Sequence, residues 1–359
     1  MNLGIYCETL DCKDLTDPGI IHLLGSYGVT LAHAIRFPEK DGRFNPDLVA
    51  QDLELGSKLR EAGAKLCFWP LLPKSIGYWI NERNLDAADM MTDAILEGCR
   101  RFGEYPDLFV MDVEPPWSQM ESVFFQQESS RLKKILTGIR LFLENRNPGR
   151  FAWAVRKLTQ IVAKLRAENS SVFAAVFPFL IVDLVNGGSV LQDYLEMPVF
   201  PVPFDAYNVM FYNSYLPQTV PIFLPPDGAK RALFEYMNEM TKHFQQRAWV
   251  TLGSTWEGVI PGNEGKVFSS AHQLAPDIAA AKAAGVNTIW LYCLEGVLYS
   301  DQRLLERRPP KESESFFEVI LTTSAFEPPI NRKWSRKRAV MEWFTRDRLR
   351  KLYRWQSKY

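Results

Sequence analysis

Asp112 and Glu114 stand two residues apart in the run Pro106-Asp107-Leu108-Phe109-Val110-Met111-Asp112-Val113-Glu114-Pro115-Pro116-Trp117. Residues 108–113 have the length and apolar character of a buried strand, and the two prolines then forbid further ladder pairing. Side chains alternate across a strand, so both carboxylates point to one side, their Cβ atoms roughly 6–7 Å apart at about 3.3 Å rise per residue. Two acids at that spacing do not ionise independently, and one keeps its proton at a raised pKa. A protonated acid beside an ionised one is the pair that glycosidic bond cleavage uses. The competing reading is an ion-paired structural duo, against which stands the cost of an acid inside an apolar strand.

Positioning such a pair takes a repeated strand and helix frame, and the chain has the pattern for one. Strand-like runs fall at Leu3–Cys7, Thr30–Phe37, Lys65–Leu71, Leu108–Glu114, Val172–Phe179, Ala206–Tyr212, Ala248–Leu252 and Asn287–Cys293. Helical patterns at Pro46–Ala62, Leu85–Phe102, Asp227–Gln246 and His272–Ala284 lie between them, and Gly63, Gly103 and Gly285 supply helix stops. Asp17-Pro18 is an N-cap and first-turn pair for a helix leading to Gly28. Eight such alternations predict an α/β (β/α)8 TIM barrel over residues 1–330. A doubly wound sheet would show a glycine-rich phosphate loop after its first strand, and none follows Cys7. The interval between strands 4 and 5 is long and helical, with a break at Asn145-Arg146-Asn147-Pro148-Gly149.

Composition sets further bounds. Of 359 residues, 47% are hydrophobic and 13% aromatic, which supplies a core and argues against disorder. Residues 331–359 hold 11 Lys/Arg against Glu342 and Asp347, so a tail of +9 follows a body of −9 in a chain of net charge zero. An acidic body speaks against general nucleic-acid binding. The tail interleaves Trp334, Trp343, Phe344, Tyr353 and Trp355 with its cations and is expected to be helical, packing either on the acidic barrel or on an anionic surface. No signal-peptide pattern precedes the first strand, and no run reaches membrane-spanning length. With five cysteines, an odd number read as reduced and buried, this gives the expectation of a cytoplasmic protein. The four histidines show no metal-ligand spacing, so neither metal nor cofactor is expected.

In barrels the chemistry sits at the C-terminal strand ends. Those ends offer Glu8, Arg36, Trp69, Asp112, Glu114, Tyr212, Asn213, Trp256, Glu257, Trp290 and Glu295, with Tyr78, Trp79, Trp117 and Tyr215 in the loops beyond. The set is rich in acids and aromatics and holds no obvious nucleophilic Ser or Cys. Flat aromatic faces pack on the C–H faces of sugars, while carboxylates grip hydroxyls.

These residues resemble glycoside hydrolase family 18, the chitinases and their relatives. Asp107-x-x-x-x-Asp112-x-Glu114 matches the strand-four signature Asp-x-x-Asp-x-Asp-x-Glu, with Val110 in place of the middle aspartate. Met210-Phe211-Tyr212-Asn213 is similar to Met-x-Tyr-Asp on strand six, with Asn213 for the aspartate, and Ile289-Trp290 to the strand-eight tryptophan. The strand-three Ser-x-Gly-Gly is absent; Phe68-Trp69-Pro70-Leu71 stands there. The resemblance implies Glu114 as general acid and Asp112 orienting the substrate's own N-acetyl group, which attacks the anomeric carbon. It implies Tyr212 donating to that acetamide and Trp290 stacking beneath the sugar, in a retaining reaction without metal.

The strand-four Asp-Val-Glu is also similar to the family 25 lysozymes, which expect an acid ending strand one, where Glu8 stands. Glu114-Pro115 further resembles the Asn-Glu-Pro of another retaining clan, though Val113 replaces its asparagine. The expected ligand is a carbohydrate, and the resemblance implies one containing N-acetylglucosamine. Besides the acids, Trp69, Glu8, Arg36, Trp256, Asn213 and Glu295 are candidate substrate contacts. From another functional class, a catalytically silent sugar-binding barrel is the alternative, favoured by Val110 and Asn213.

Overall fold

Strands form at all eight apolar runs: β1 (Asn2–Cys7), β2 (Thr30–Arg36), β3 (Lys65–Leu71), β4 (Leu108–Val113), β5 (Ser171–Val176), β6 (Ala206–Phe211), β7 (Ala248–Gly253) and β8 (Thr288–Tyr292). In this computed structural model they pair in parallel, in sequence order, and β1 closes on β8. The chain is therefore an α/β TIM barrel. The structure describes residues 1–36, 44–121, 144–215, 228–258, 266–301 and 306–330, together with residues 332, 335, 336, 338 and 339.

The helices form where stripe and caps agree. Helix Leu85–Phe102 buries Leu85, Ala88, Met91, Ile95 and Cys99 on one face and stops at Gly103, whose φ of +72° suits glycine. Asp17 caps helix Pro18–Ser26 by accepting from the Gly19 and Ile20 amides at 2.8 and 3.3 Å. Asn147 likewise caps helix Pro148–Ala167 by accepting from the Arg150 amide at 3.0 Å. The expected insertion between β4 and β5 falls largely on residues 122–143, outside the described residues.

β5 ends at Val176, three residues before the expected Phe179, because Pro178–Leu180 turns into a 3-10 helix. Two short helices, Ile181–Asn186 and Val190–Leu195, follow it and were not expected. Most of the basic tail is outside the described residues. One of its arginines, Arg338, pairs with Glu235 at 2.9 Å on helix Ala229–Phe244.

One seam of the barrel is incomplete. β3 and β4 pair only at Cys67–Leu108 and Phe68–Phe109. The Lys65 amide points to β2, bonding Val29 at 3.1 Å, so by alternation position 70 faces β4. Pro70 has no N–H to give there, and the strands part above it. The segment Tyr78–Ile80 fills the gap. Ile80 donates to the Asp112 carbonyl at 2.9 Å and accepts from the Glu114 amide at 3.1 Å. Among the described residues, no helix is long and apolar enough to cross a membrane.

Candidate active site

β4 delivers Asp112 and Glu114 to the C-terminal mouth with 3% and 6% of their surfaces exposed. The Trp69 indole on β3 donates to Asp112 Oδ2 at 3.2 Å. No N–H reaches Oδ1, which leaves it for the proton of Glu114. Burial pushes the Glu114 carboxyl up; the negative charge of Asp112, a hydrogen bond to it, and the charge of Glu8 push it further. Burial and, to a lesser extent, the charge of Glu8 also raise Asp112, to about 7, against the pull of hydrogen bonds from Glu114 and Trp69. The stronger push falls on Glu114, which therefore keeps its proton to higher pH than Asp112 does.

Glu8 follows β1 and is the third acid of the cluster. Tyr78 donates to its Oε1 at 2.8 Å, Tyr292 donates to its Oε2, and the half-exposed Arg36 guanidinium lies 3.8 Å from Oε1. Tyr78 holds a left-handed backbone (φ +63°), which costs a bulky residue on the order of 1–3 kcal/mol and is held in place by its contacts. Its ring packs edge-on to Trp79 and to Trp117, and Lys74 sits 5.0 Å above Trp117. On the far side, Tyr212 lies beside Tyr215 at 5.5 Å and Tyr292 at 5.3 Å between ring centres. Burial, Tyr215, Tyr6 and both strand-four acids all raise the Tyr212 phenol, so it stays a hydroxyl near the pair.

Four sequence candidates sit elsewhere. Trp290 lies one layer below the acids, against Tyr6, Phe173 and Trp249 at 5.3, 5.0 and 6.2 Å. A Cβ on Gly4 would come within 2.2 Å of that indole, which is why glycine stands there. Tyr292, two residues on and on the same side, takes the mouth position that Trp290 was expected to fill. Asn213 turns outward and donates to Asp277 Oδ1 at 2.9 Å on helix Ala271–Ala283, because alternation sends Tyr212 in and its neighbour out. Glu295 is a loop clamp, its Oε1 accepting from the Glu8 and Thr9 amides at 2.7 and 2.5 Å. Trp256 is buried and packs on Tyr299 at 6.3 Å. Glu8, Trp69, Asp112, Glu114 and Tyr212, by contrast, are brought together.

A buried charge network beside the site carries no signal in the sequence. Arg150 bonds Glu82 at 2.7 Å and Glu196 at 2.5 Å, and Arg83 reaches Glu196 at 2.6 Å. Gln119 also donates to Glu196, and the Asn147 amide to Asp193 at 2.9 Å. Its partners stand 46 to 113 residues apart, so no local pattern announces them.

Cys12, His33 and Asp52 also converge, with ligand-type atoms within 4.8 Å of one another. Burial alone would lower the His33 imidazole; the hydrogen bonds to Asp52 and Cys12 and the Asp52 charge instead lift it to about 10. Nδ1 meets Asp52 at 2.5 Å and Nε2 meets the Leu10 carbonyl at 2.9 Å. Both ring nitrogens thus donate, and the trio is a buried ion pair with an adjoining thiol. All five cysteines are buried and free. Asp52→Asn should lower stability by about 3–5 kcal/mol. The loss is whole below an unfolded imidazole value of about 6.5 and fades as pH rises toward the folded value. Thermal melts of both proteins at pH 6 and pH 10 check it; an equal deficit at both would reject the ion pair.

No protein-family model matches the chain, and no curated protein matches it by sequence. Its fold is similar to the PgaB (BpsB) glycoside hydrolase domain from Bordetella bronchiseptica, at 10% identity and TM-score 0.50, over 91% of this chain and 100% of that one. It is also similar to the AHE enzyme from Alicyclobacillus herbarius, at 12% identity and TM-score 0.52, over 89% and 97%. A third likeness is to the GH1 beta-glucosidase from Exiguobacterium antarcticum B7, at 13% identity and TM-score 0.54, over 91% and 98%. At these identities the likeness is one of fold.

Proposed function

We propose that the protein hydrolyses a glycosidic bond, with Glu114 as general acid and Asp112 as its ionised partner. The observation that carries this reading is the pair of buried acids, Asp112 and Glu114, at the C-terminal mouth of a barrel, with Trp69 donating to Asp112 and Glu114 pushed toward its protonated form by burial and neighbouring charge. Two of the proteins similar in fold are named for glycoside hydrolysis, which supports it.

The substrate we propose is an N-acetylated sugar, its acetamide lying between Asp112 and Tyr212. The acetamide oxygen attacks the anomeric carbon as the bond to the leaving oxygen breaks, and Glu114 gives that oxygen its proton. Asp112 accepts the acetamide N–H and balances the positive charge. Water then opens the ring, Glu114 takes back a proton, and configuration is retained. The protein's own residues supply every proton transfer in this scheme, and the free thiols fit work in a reducing compartment.

A silent sugar-binding barrel is the second reading, favoured by the outward turn of Asn213 and by Val110 buried under Asp112. Hydrolysis of an aryl N-acetylglycosaminide, with chito-oligosaccharide binding followed in parallel, separates the two. Turnover supports the enzyme, binding without turnover supports the silent barrel, and neither result rejects both. With an N-acetyl thiazoline inhibitor bound, its ring should contact both Asp112 and Tyr212.

A further inference from the structure

We propose that Cys12, His33 and Asp52 form a binding site for one divalent transition-metal ion of the zinc class, separate from the acid pair. The proposal does not depend on the glycosidase reading.

The three side chains converge on one point. The Cys12 thiol and the Asp52 carboxylate face the same ring nitrogen, Nδ1 of His33, at 3.8 and 2.5 Å. All three ligand-type atoms lie within 4.8 Å of one another. A nucleophilic triad would set thiol and carboxylate on opposite ring nitrogens. Here the other nitrogen, Nε2, donates to the Leu10 carbonyl at 2.9 Å. Such an outer hydrogen bond fixes the ring's angle and leaves Nδ1 as the ligand atom, as the outer partners of metal-bound histidines do. Sulfur, imidazole nitrogen and carboxylate oxygen together suit zinc and its neighbours, whereas magnesium and calcium take oxygen alone.

The distances need little adjustment. With Zn–N and Zn–O of about 2.0 Å and Zn–S of about 2.3 Å, tetrahedral ligands stand about 3.3 Å apart from N to O and about 3.5 Å from N to S. Cys12 is already near that separation. The contact between Nδ1 and Oδ1, drawn in by a shared proton, opens by about 0.8 Å when an ion replaces the proton. Asp52 stands in the first turn of helix Ala50–Glu61, His33 on β2, and Cys12 at the start of helix Cys12–Leu15. Three protein ligands leave the fourth tetrahedral position to solvent.

Charge balances too. In the protonated trio, imidazolium, thiol and carboxylate sum to zero. Imidazole, thiolate and carboxylate around a divalent ion also sum to zero, and two protons, one from His33 Nδ1 and one from Cys12, leave to water. All three side chains are buried, where a stranded net charge would be costly, and this exchange strands none. His33 stands 21 residues from Cys12 and 19 from Asp52, so no short ligand motif marks the site in the sequence. The trio lies between β2 and helix Ala50–Glu61, on the helix side of the strand, whereas the acids face the barrel mouth. The ion therefore has a structural task, pinning the turn after β1 to β2 and to that helix.

Cobalt(II) titrated into the reduced, chelator-stripped full chain reads the site. A thiolate bound to cobalt absorbs in the near ultraviolet, and four-coordinate cobalt absorbs strongly in the visible. Both bands should grow to one equivalent, fade when Zn2+ is added, and ignore excess Mg2+. Cys12→Ser should lose the near-ultraviolet band, whereas Cys99→Ala, at a buried thiol on helix Leu85–Phe102, should keep it. Zn2+ should raise the melting temperature of the parent but not that of Cys12→Ser. Absence of the bands in the parent overturns the proposal, as does a near-ultraviolet band that survives in folded Cys12→Ser. Should Cys12→Ser not fold, His33→Gln takes its place: loss of one-equivalent binding supports the site, and its survival overturns it.

Discussion

Glu114→Gln is expected to lower turnover of an alkyl N-acetylglycosaminide by about 10²–10⁴-fold, the usual worth of a positioned general acid. Fold and sugar binding should be nearly unchanged. The reason lies in the state of the residue it replaces. Glu114 is buried and held protonated, so an amide of the same shape replaces a neutral group and keeps an N–H for Asp112. No charge is stranded, and the melting temperature should stay close to that of the parent. What the amide lacks is a proton that can leave. The deficit should shrink for aryl leaving groups that depart as stable anions, so rate plotted against leaving-group pKa becomes steeper in the variant. In the parent, the acid form is present below the raised Glu114 value and is lost as pH rises through it, which makes the alkaline limb belong to Glu114. Unimpaired hydrolysis of the alkyl substrate by Glu114→Gln would reject the assignment.

Arg150→Met should destabilise the protein by about 3–5 kcal/mol at alkaline pH, the cost of leaving two buried carboxylates without this partly exposed cation. Its guanidinium serves Glu82, Glu196 and the Asn145 carbonyl at once, and the side chains of both acids are wholly buried. Burial has already lifted Glu82 to about 8 against the pull of Arg150, with Asp193 and Glu196 adding to the rise. A raised carboxyl stabilises most below its unfolded value of about 4.3 and loses that contribution as pH climbs through the folded value. Without Arg150, Glu82 should hold its proton still longer, so the variant's deficit should grow from pH 5 to pH 9 in chemical denaturation. A deficit under 1 kcal/mol at pH 9 would show the network to be ornamental. Glu82 lies two residues from Ile80, so turnover should fall along with stability.

The frame was legible because each strand carries its own apolar run and several helices carry their own stops. Helix Leu85–Phe102 is bounded as its sequence predicts, since stripe and Gly103 agree. The acids were legible for a similar reason: Asp112 breaks an apolar strand, and few residues do so without a purpose. Depth was not legible. Alternation tells which side Trp290 faces, but its layer follows from the stagger of the closed barrel and from the space left by Gly4. Asn213 was open to correction from the sequence, because Tyr212 and its neighbour cannot both face inward. The tyrosine clasp and the arginine network depend on meetings between distant loops, and nothing local encodes those. Pro70 was the one visible sign of the parted seam.

That seam makes the two acids tenants of a loop. On the side facing β3 their main chain is fastened by Ile80, in a stretch that belongs to no strand of the cylinder, while β5 holds the other side of β4. Exchanging residues 73–79 could therefore tilt the proton donor relative to a bound ring while the scaffold beneath keeps its register. Such a cassette is a natural place for divergence between relatives, and a compact target for directed evolution of a new linkage preference.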